Sequence, residues 1–377
     1  MAKPKMPKLG RMLKRFLFFL ILFLAATNLL FFRIDLTADD EAPEPNNPRH
    51  PRAAAVDDAA LAYIPRSVVD TWSRREYLIV LGIPSSDDEA RRRRRNLQRS
   101  TCWRFSGVAT RANDFTGAML VLYVLARHPL HGYDYSAALL EEAAQWNDVV
   151  ALQMNEGLVT TNKTIGGEGF WGLEAEIGVS RKVYMWLDLA IHLFPTARYI
   201  AKGDDDIFLR VPLFVAVLRL LPRRGIYMGN HIGTTHFVHK GLPGSAFMMG
   251  WCYTLSRDVA EALATYEPLR RLAYLPYSEE IDDEFSLLRF QHEDVMVAWV
   301  LERVIKYQPM VYVKVLGCHI HDARNVTGHS QVVPTSMCVH HVAEDDYAAL
   351  MARFGNDTSP FVRVERVTDD TIYPLCD

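Results

Sequence analysis

Apolar runs closed by abrupt polar punctuation organise this chain. Tyr77-Leu78-Ile79-Val80-Leu81-Gly82-Ile83, ended by Pro84, Ser85 and Ser86, has the unbroken apolarity of a strand buried on both faces. Residues 117–126 and 149–152 repeat that pattern, and so does the run that opens at Tyr199. Asp87, Asp88 and Glu89 suit the first turn of a helix, where the dipole favours acids, and this helix would carry Arg91 to Arg95 and Arg99. Five consecutive arginines cannot all face inward, so most are expected in water. A second helix is expected over 135–145. From Lys182, the positions Val183, Trp186, Leu187, Ala190, Ile191 and Phe194 recur at helical spacing until Pro195. Further helices are expected over 213–221, from an N-cap at Ser256, from Glu293, and through Tyr347, Leu350, Met351 and Phe354. Residues 361–377 alternate like a strand. Strands and helices in alternation predict an α/β domain with a mixed, mostly parallel sheet covered by helices on both faces.

Residues 16–32 break this pattern, because they carry no charge and consist almost wholly of Phe, Leu, Ile and Ala. That length reaches the lower limit for a spanning helix. Lys3, Lys5, Lys8, Arg11, Lys14 and Arg15 precede it, whereas Asp35, Asp39, Asp40 and Glu41 follow, so the amino terminus is expected in the cytosol. A cleaved signal peptide competes with this reading at Ala25-Ala26-Thr27. Apolar residues continue through Phe32, which favours an uncleaved signal anchor. Residues 1–15 are then a cytosolic tail. The Pro-, Ala- and acid-rich residues 33–75 read as a disordered stem, and residues 76–377 as a lumenal domain. Asn-x-Thr acceptors at Asn162, Asn325 and Asn356 all lie on the translocated side. Cys102, Cys252, Cys318, Cys338 and Cys376 lack Cys-x-x-Cys spacing, which argues against zinc and allows up to two disulfides. A net charge of -3 excludes nucleic-acid binding through a global positive field.

The chemistry concentrates at Asp204-Asp205-Asp206, three carboxylates at a turn inside otherwise apolar sequence. Charges this close stay ionised in a semi-buried site only if a cation neutralises them, and oxygen ligands favour Mg²⁺ or Mn²⁺. The competing reading is an acidic surface turn. In doubly wound sheets, ligands bind beyond the carboxyl ends of strands, where this turn would fall. Asp294 either caps its helix or serves a site, and the C-terminal histidines His319, His321, His329, His340 and His341 can complete a carboxylate metal site.

Lys202-Gly203-Asp204-Asp205-Asp206-Ile207-Phe208, Glu293-Asp294-Val295 and Arg99-Ser100-Thr101-Cys102-Trp103, with Lys182 and Pro195 upstream of the acids, together resemble glycosyltransferase family 31. This is the β-1,3-galactosyltransferase and β-1,3-N-acetylglucosaminyltransferase family. The resemblance spans roughly residues 77–354 and has the character of a protozoan member. It implies a GT-A fold, a single-pass Golgi enzyme, Mn²⁺ or Mg²⁺, a UDP-galactose or UDP-N-acetylglucosamine donor, and a glycan acceptor on glycoprotein or glycolipid. It further implies that Asp204 and Asp206, with His340 or His341, hold the metal. Asp204, Asp205, Lys182 and Arg99 would serve the nucleotide, and Asp294 would take the acceptor proton in an inverting transfer. Ala298 and Phe247-Met248-Met249-Gly250 depart from the family pattern, which leaves acceptor and linkage open between β-1,3 and β-1,6. A metal-dependent hydrolase is a weaker enzyme reading, and an inactive or lectin-like lumenal homologue is the non-enzymatic one.

Overall fold

The computed structural model describes residues 59–165, 167, 169–233, 244–324, 332–358 and 360–376. The expected anchor at 16–32, the stem as far as residue 58, Asn325 and His329 lie outside these residues. Among the described residues no helix is long and apolar enough to cross a membrane. Folded structure begins earlier than the expected boundary at residue 76. Helix α1 (Arg66–Ser73) carries Trp72, which is 1% exposed and packs edge-on against Phe115 with ring centroids 5.7 Å apart. Trp72, together with Ala60, Leu61 and Ile64 buried in the same core, anchors a segment whose composition otherwise reads as stem.

The chain then alternates as the apolar runs predict: β1 (Ile79–Pro84), α2 (Glu89–Ser100), β2 (Val108–Ala109), β3 (Met119–Arg127), α3 (Ala137–Trp146), β4 (Val149–Asn155), α4 (Leu173–Leu193) and β5 (Tyr199–Gly203). Beyond the acids come β6 (Phe208–Leu209), α5 (Val211–Leu220), β7 (Ile226–Gly229), β8 (His231–Ile232), β9 (Phe247–Met248) and β10 (Cys252–Ser256). The remainder comprises α6 (Arg257–Ala264), α7 (Glu267–Tyr274), α8 (Asp282–Leu287), α9 (Glu293–Trp299), β11 (Val311–Lys314), β12 (Ile320–Asp322), β13 (Cys338–His340), α10 (Asp346–Phe354), β14 (Val364–Thr368) and β15 (Thr371–Pro374).

The central sheet runs β14-β15-β11-β7-β10-β5-β1-β3-β2, with β4 also on β3. Pairing is parallel except at β10, which opposes β5 and β7, and at the β14–β15 hairpin. Along β1, Val80 faces one core, with Trp186 of α4, while Ile79, Leu81 and Ile83 face the other, with Phe208 and Phe214. Both faces are therefore covered, which is why β1 shows no polar alternation. Gly82 is required there, because a Cβ would collide with the Trp186 indole.

Two local readings change. α4 starts at Leu173, nine positions before the expected Lys182, because Ser180, Arg181 and Lys182 are buried polar residues that hide its apolar stripe. In α2, Asp88 caps the helix by accepting from the Arg91 amide at 2.9 Å, yet Arg94, Arg95 and Arg99 are buried rather than solvated. Glu142 and Asp148, from α3 and the turn after it, supply the counter-charges. One disulfide, Cys318–Cys376 with Cα atoms 6.0 Å apart, joins the C-terminal hairpin to the turn before β12, and Cys102, Cys252 and Cys338 are free and buried.

Candidate active site

β5 ends at Gly203, paired with Cys252 of β10, so Asp204–Asp206 turn away at the carboxyl edge of the sheet. A second, small sheet returns a distant segment to them. β13 pairs with β6, setting Val339 opposite Phe208, and the Val342 amide donates to the Asp206 carbonyl at 3.0 Å. His340 Nε2 consequently lies 3.2 Å from both Asp204 Oδ2 and Asp206 Oδ1. Its ring stacks on Trp251 at 4.7 Å, and its buried Nδ1 has no hydrogen-bond partner among the described residues. His341 sits in the left-handed region (φ 55°) with its ring 3.6 Å from that of His340 and its Nδ1 3.0 Å from Asp322 Oδ2. Strain of this kind in a non-glycine residue persists only where neighbours over-determine it.

Asp206, His340 and His341 each offer a ligand atom within 4.8 Å of the others. Two imidazoles and a carboxylate, with the Asp204 carboxylate alongside, suit Mn²⁺ or another divalent ion that accepts mixed nitrogen and oxygen donors. The electrostatics fit as well. Burial opposes an imidazolium at His340, but Asp204 and Asp206 outweigh it and raise its pKa to about 9. Burial likewise opposes charge on Asp204, yet Lys202 and His340 hold its carboxyl below the usual range. Positive charge is thus what these oxygens are arranged to hold. Asp205 points elsewhere: its carboxylate accepts from Ser85 Oγ at 2.7 Å and pairs with Arg91.

The opposite wall is the amino end of α9. Asp294 Oδ1 accepts from the adjacent Val295 amide at 2.8 Å and Oδ2 from the Gly250 amide at 3.1 Å, so it links its helix to the β9–β10 turn, while the N-cap position is His292, whose side chain makes no capping bond. A Cβ at Gly250 would stand 2.9 Å from Glu293 Oε1 and 3.1 Å from Lys202 Nζ, so a side chain there would have to displace these charged ends. Buried Lys202 ties the two walls together. Its ammonium donates to Asp204 Oδ1 at 2.6 Å and to the Gly250 carbonyl at 2.5 Å, and lies 3.0 Å from Glu293 Oε1. Burial, reinforced by Asp294 and Asp204 and only partly offset by Lys202, raises Glu293 to about 7. Asp294 is raised too, chiefly by burial.

These walls enclose a cavity of about 370 Å³. A neighbouring chamber of about 530 Å³ shares Ser86, Arg91, Lys163, Trp171 and Lys182 with it. Arg91 and Lys163 lie 5.8 and 4.9 Å from the Trp171 ring centroid, two cations on one aromatic platform. Lys182 reaches both chambers, although its ammonium is held by Glu156 at 2.6 Å and the Ser85 carbonyl at 2.7 Å. The expectation for Arg99 is corrected: it lines neither chamber, and its guanidinium is held by Glu142 and Asp148. The cation that α2 presents to the cavity is Arg91, two turns earlier. The sequence assigns no role to Lys163, Trp171 or Glu156, and none to Glu293 beyond its place in the Glu293-Asp294-Val295 motif. Lys202 could have been found, because a lysine inside an otherwise apolar buried strand needs partners.

No protein-family model matches the chain, and no curated protein matches it. Among solved structures it is similar to the apo form of mouse xyloside xylosyltransferase 1, at 10% sequence identity over 71% of this chain and 97% of that one. The TM-score is 0.33, a likeness too distant to carry an argument.

Proposed function

We propose that the chain is a divalent-metal-dependent, inverting glycosyltransferase of GT-A type, related to family 31. It would move galactose or N-acetylglucosamine from a UDP-sugar to a glycan hydroxyl, with β-1,3 linkage favoured by the motifs. The observation that supports this most is one cavity into which distant segments bring Asp204, Asp206, His340 and His341 on one wall and Asp294 on the other. Asp206, His340 and His341 would hold the ion, with Asp204 beside them. Its chemistry there would be to neutralise charge developing on the departing diphosphate.

The remaining roles belong to the chain's own groups. Lys163 supplies positive charge for phosphate oxygens, Arg91, already shared with Asp205, stands beside it, and the nearby Trp171 ring offers a stacking surface. Asp294 takes the proton of the acceptor hydroxyl as that oxygen attacks the anomeric carbon from the face opposite the leaving group. The new glycosidic bond forms as the old one breaks, with inversion and without a covalent enzyme intermediate. A carboxyl raised by burial is better matched to that task than an exposed one. Lys202 fixes the separation of the walls, bonding Asp204 directly and Asp294 through the Gly250 peptide.

In the same reading, residues 16–32 are an uncleaved signal anchor and the folded part works in the Golgi lumen. Asn162 and Asn356 are both exposed, as glycan acceptors must be. The test is a panel of UDP-sugars with galactosyl, N-acetylglucosaminyl and mannosyl acceptors, run with Mn²⁺ or chelator, the product linkage read by NMR. Transfer that requires metal supports the proposal. A chain that binds glycans but turns over no UDP-sugar, with or without metal, would instead be the lectin-like homologue.

A further inference from the structure

A second, larger cavity of about 810 Å³ lies at the other end of the sheet. It opens beside β2, whose Val108 pairs with Met119 at the start of β3, in register with the amino ends of β1 and β5. The acids lie beyond the carboxyl end of β5, so the two sites are separate.

Most polar groups in the walls of this cavity are hydrogen-bonded within the protein. Trp103 Nε1 donates to the Tyr123 hydroxyl at 2.8 Å. Arg99 is paired with Asp148 at 2.7 Å, its guanidinium 5.3 Å from the Trp146 ring centroid. The Asn113 amide closes on the Thr110 amide at 2.9 Å and the Val108 carbonyl at 2.8 Å. What these walls offer a guest is the apolar surface of Phe105, Val108, Phe115 and Val121. Few wall groups remain to answer the hydrogen-bonding groups of a base edge or a sugar ring, whereas a hydrocarbon needs none.

The rim differs. Arg104 is exposed and has no polar partner among the described residues. Arg111 donates through Nη1 to the carbonyls of Ala144 and Gln145 at 2.8 and 2.6 Å, which leaves its Nη2 without a protein partner among the described residues. Asp148 is the lining carboxylate, and Arg99 already neutralises it. The rim therefore carries uncompensated positive charge above an apolar interior. We infer that this cavity is a binding site for a single-chain amphiphile with an anionic head, its hydrocarbon among Phe105, Val108, Phe115 and Val121 and its carboxylate or phosphate on Arg104 and Arg111.

The test uses the full-length chain with three photoreactive diazirine probes of equal chain length: dodecyl phosphate, dodecanoate and dodecanol. Peptides are mapped by mass spectrometry after irradiation. The expected result is labelling by the two anionic probes within residues 100–121 or at Trp146, with dodecanol labelling this region far less. Loss of the two arginine contacts in the Arg104→Glu, Arg111→Glu pair should weaken this labelling about tenfold or more. The single Arg104→Glu change, at an exposed side chain that no fold contact needs, should lower it by a smaller factor. Whichever anionic probe labels more strongly identifies the preferred head. Equal labelling by dodecanol, indifference to Arg104→Glu, displacement by UMP, or labels confined to other peptides would overturn the inference. Because no readout depends on UDP-sugar turnover, failure here and failure of the transferase reading are distinguishable.

Discussion

Two clusters of buried charge meet at Ser85, and they are built on opposite arithmetic. On one side Arg95 and Arg99 close around Glu142 and Asp148, two cations against two carboxylates, with hydrogen bonds of 2.6–2.8 Å. On the other, Asp204, Asp205, Asp206, Glu293 and Asp294 gather five carboxylates, contacted directly by three cationic side chains, Lys202, Arg91 and His340, whose pKa is raised to about 9. In the first cluster Glu142 lies below its ordinary pKa, because Arg95 and Arg99 more than offset its burial. In the second, Glu293 and Asp294 are raised. A matched cluster fastens α2 to α3. An unmatched one is arranged for something the chain does not itself supply, and strain of that sort gathers at functional sites.

The sharpest way to break this comparison is to remove one carboxylate from each cluster. Asp294→Asn should lower kcat by roughly 10²–10⁴-fold with nucleotide affinity little changed, as steady-state kinetics would show. Its stability should be equal to or above that of the parent, since a buried, raised carboxyl is removed. Glu142→Gln should do the reverse, costing about 3–5 kcal/mol in urea unfolding because it strands a buried guanidinium. If both variants lose stability equally, the unmatched cluster is structural after all.

A smaller effect separates the clusters by pH. Glu142, lowered in the fold, contributes stability that is present above its unfolded value of about 4.5 and lost as pH falls through its folded one. Glu293 works with opposite sign: ionising it in the fold is costly, so in metal-free protein stability falls as pH rises from about 4.5 to about 7. Glu293→Gln should flatten that decline and Glu142→Gln should flatten the acid limb, as denaturation series at several pH values would reveal. Smallest is the effect of Lys163→Ala. Loss of a partly exposed cation facing the phosphate oxygens, worth about 0.5–1 kcal/mol, should weaken UDP binding roughly two- to fivefold in calorimetry.

Much of this was legible from residues alone. The unbroken apolar runs at β1 and β5 announced a sheet covered on both faces, and the abrupt acids after Gly203 announced its working edge. Asp294 was singled out because acids opening an apolar helix are either caps or chemistry, and here the N-cap position is His292 while Asp294 holds the β9–β10 turn. Illegible features depended on partners remote in sequence. The arginines of α2 read as solvated because nothing nearby indicates that Glu142 and Asp148 fold against them. Arg99 was preferred over Arg91 on motif position, whereas helix phase decides which of them faces the cavity. Trp171 and Lys163 precede α4 in a loop with no period to read. α1 was missed because a few scattered core contacts, Ala60, Leu61, Ile64 and Trp72, outweigh a composition that otherwise suggests disorder.

The central claim is that the unmatched carboxylates form a divalent-cation and nucleotide-diphosphate site. The most direct test is the melting temperature of the full-length protein as Mn²⁺ and UDP are raised, alone and together, beside Asp206→Asn. A ligand that binds only the folded state stabilises it by about 2.7 kcal/mol at a hundred times its Kd. The wild-type Tm should climb with concentration, most when both are present, and the Asp206→Asn Tm should stay nearly flat. A wild-type protein unmoved by either ligand, or a variant that climbs in parallel with it, would contradict the assignment.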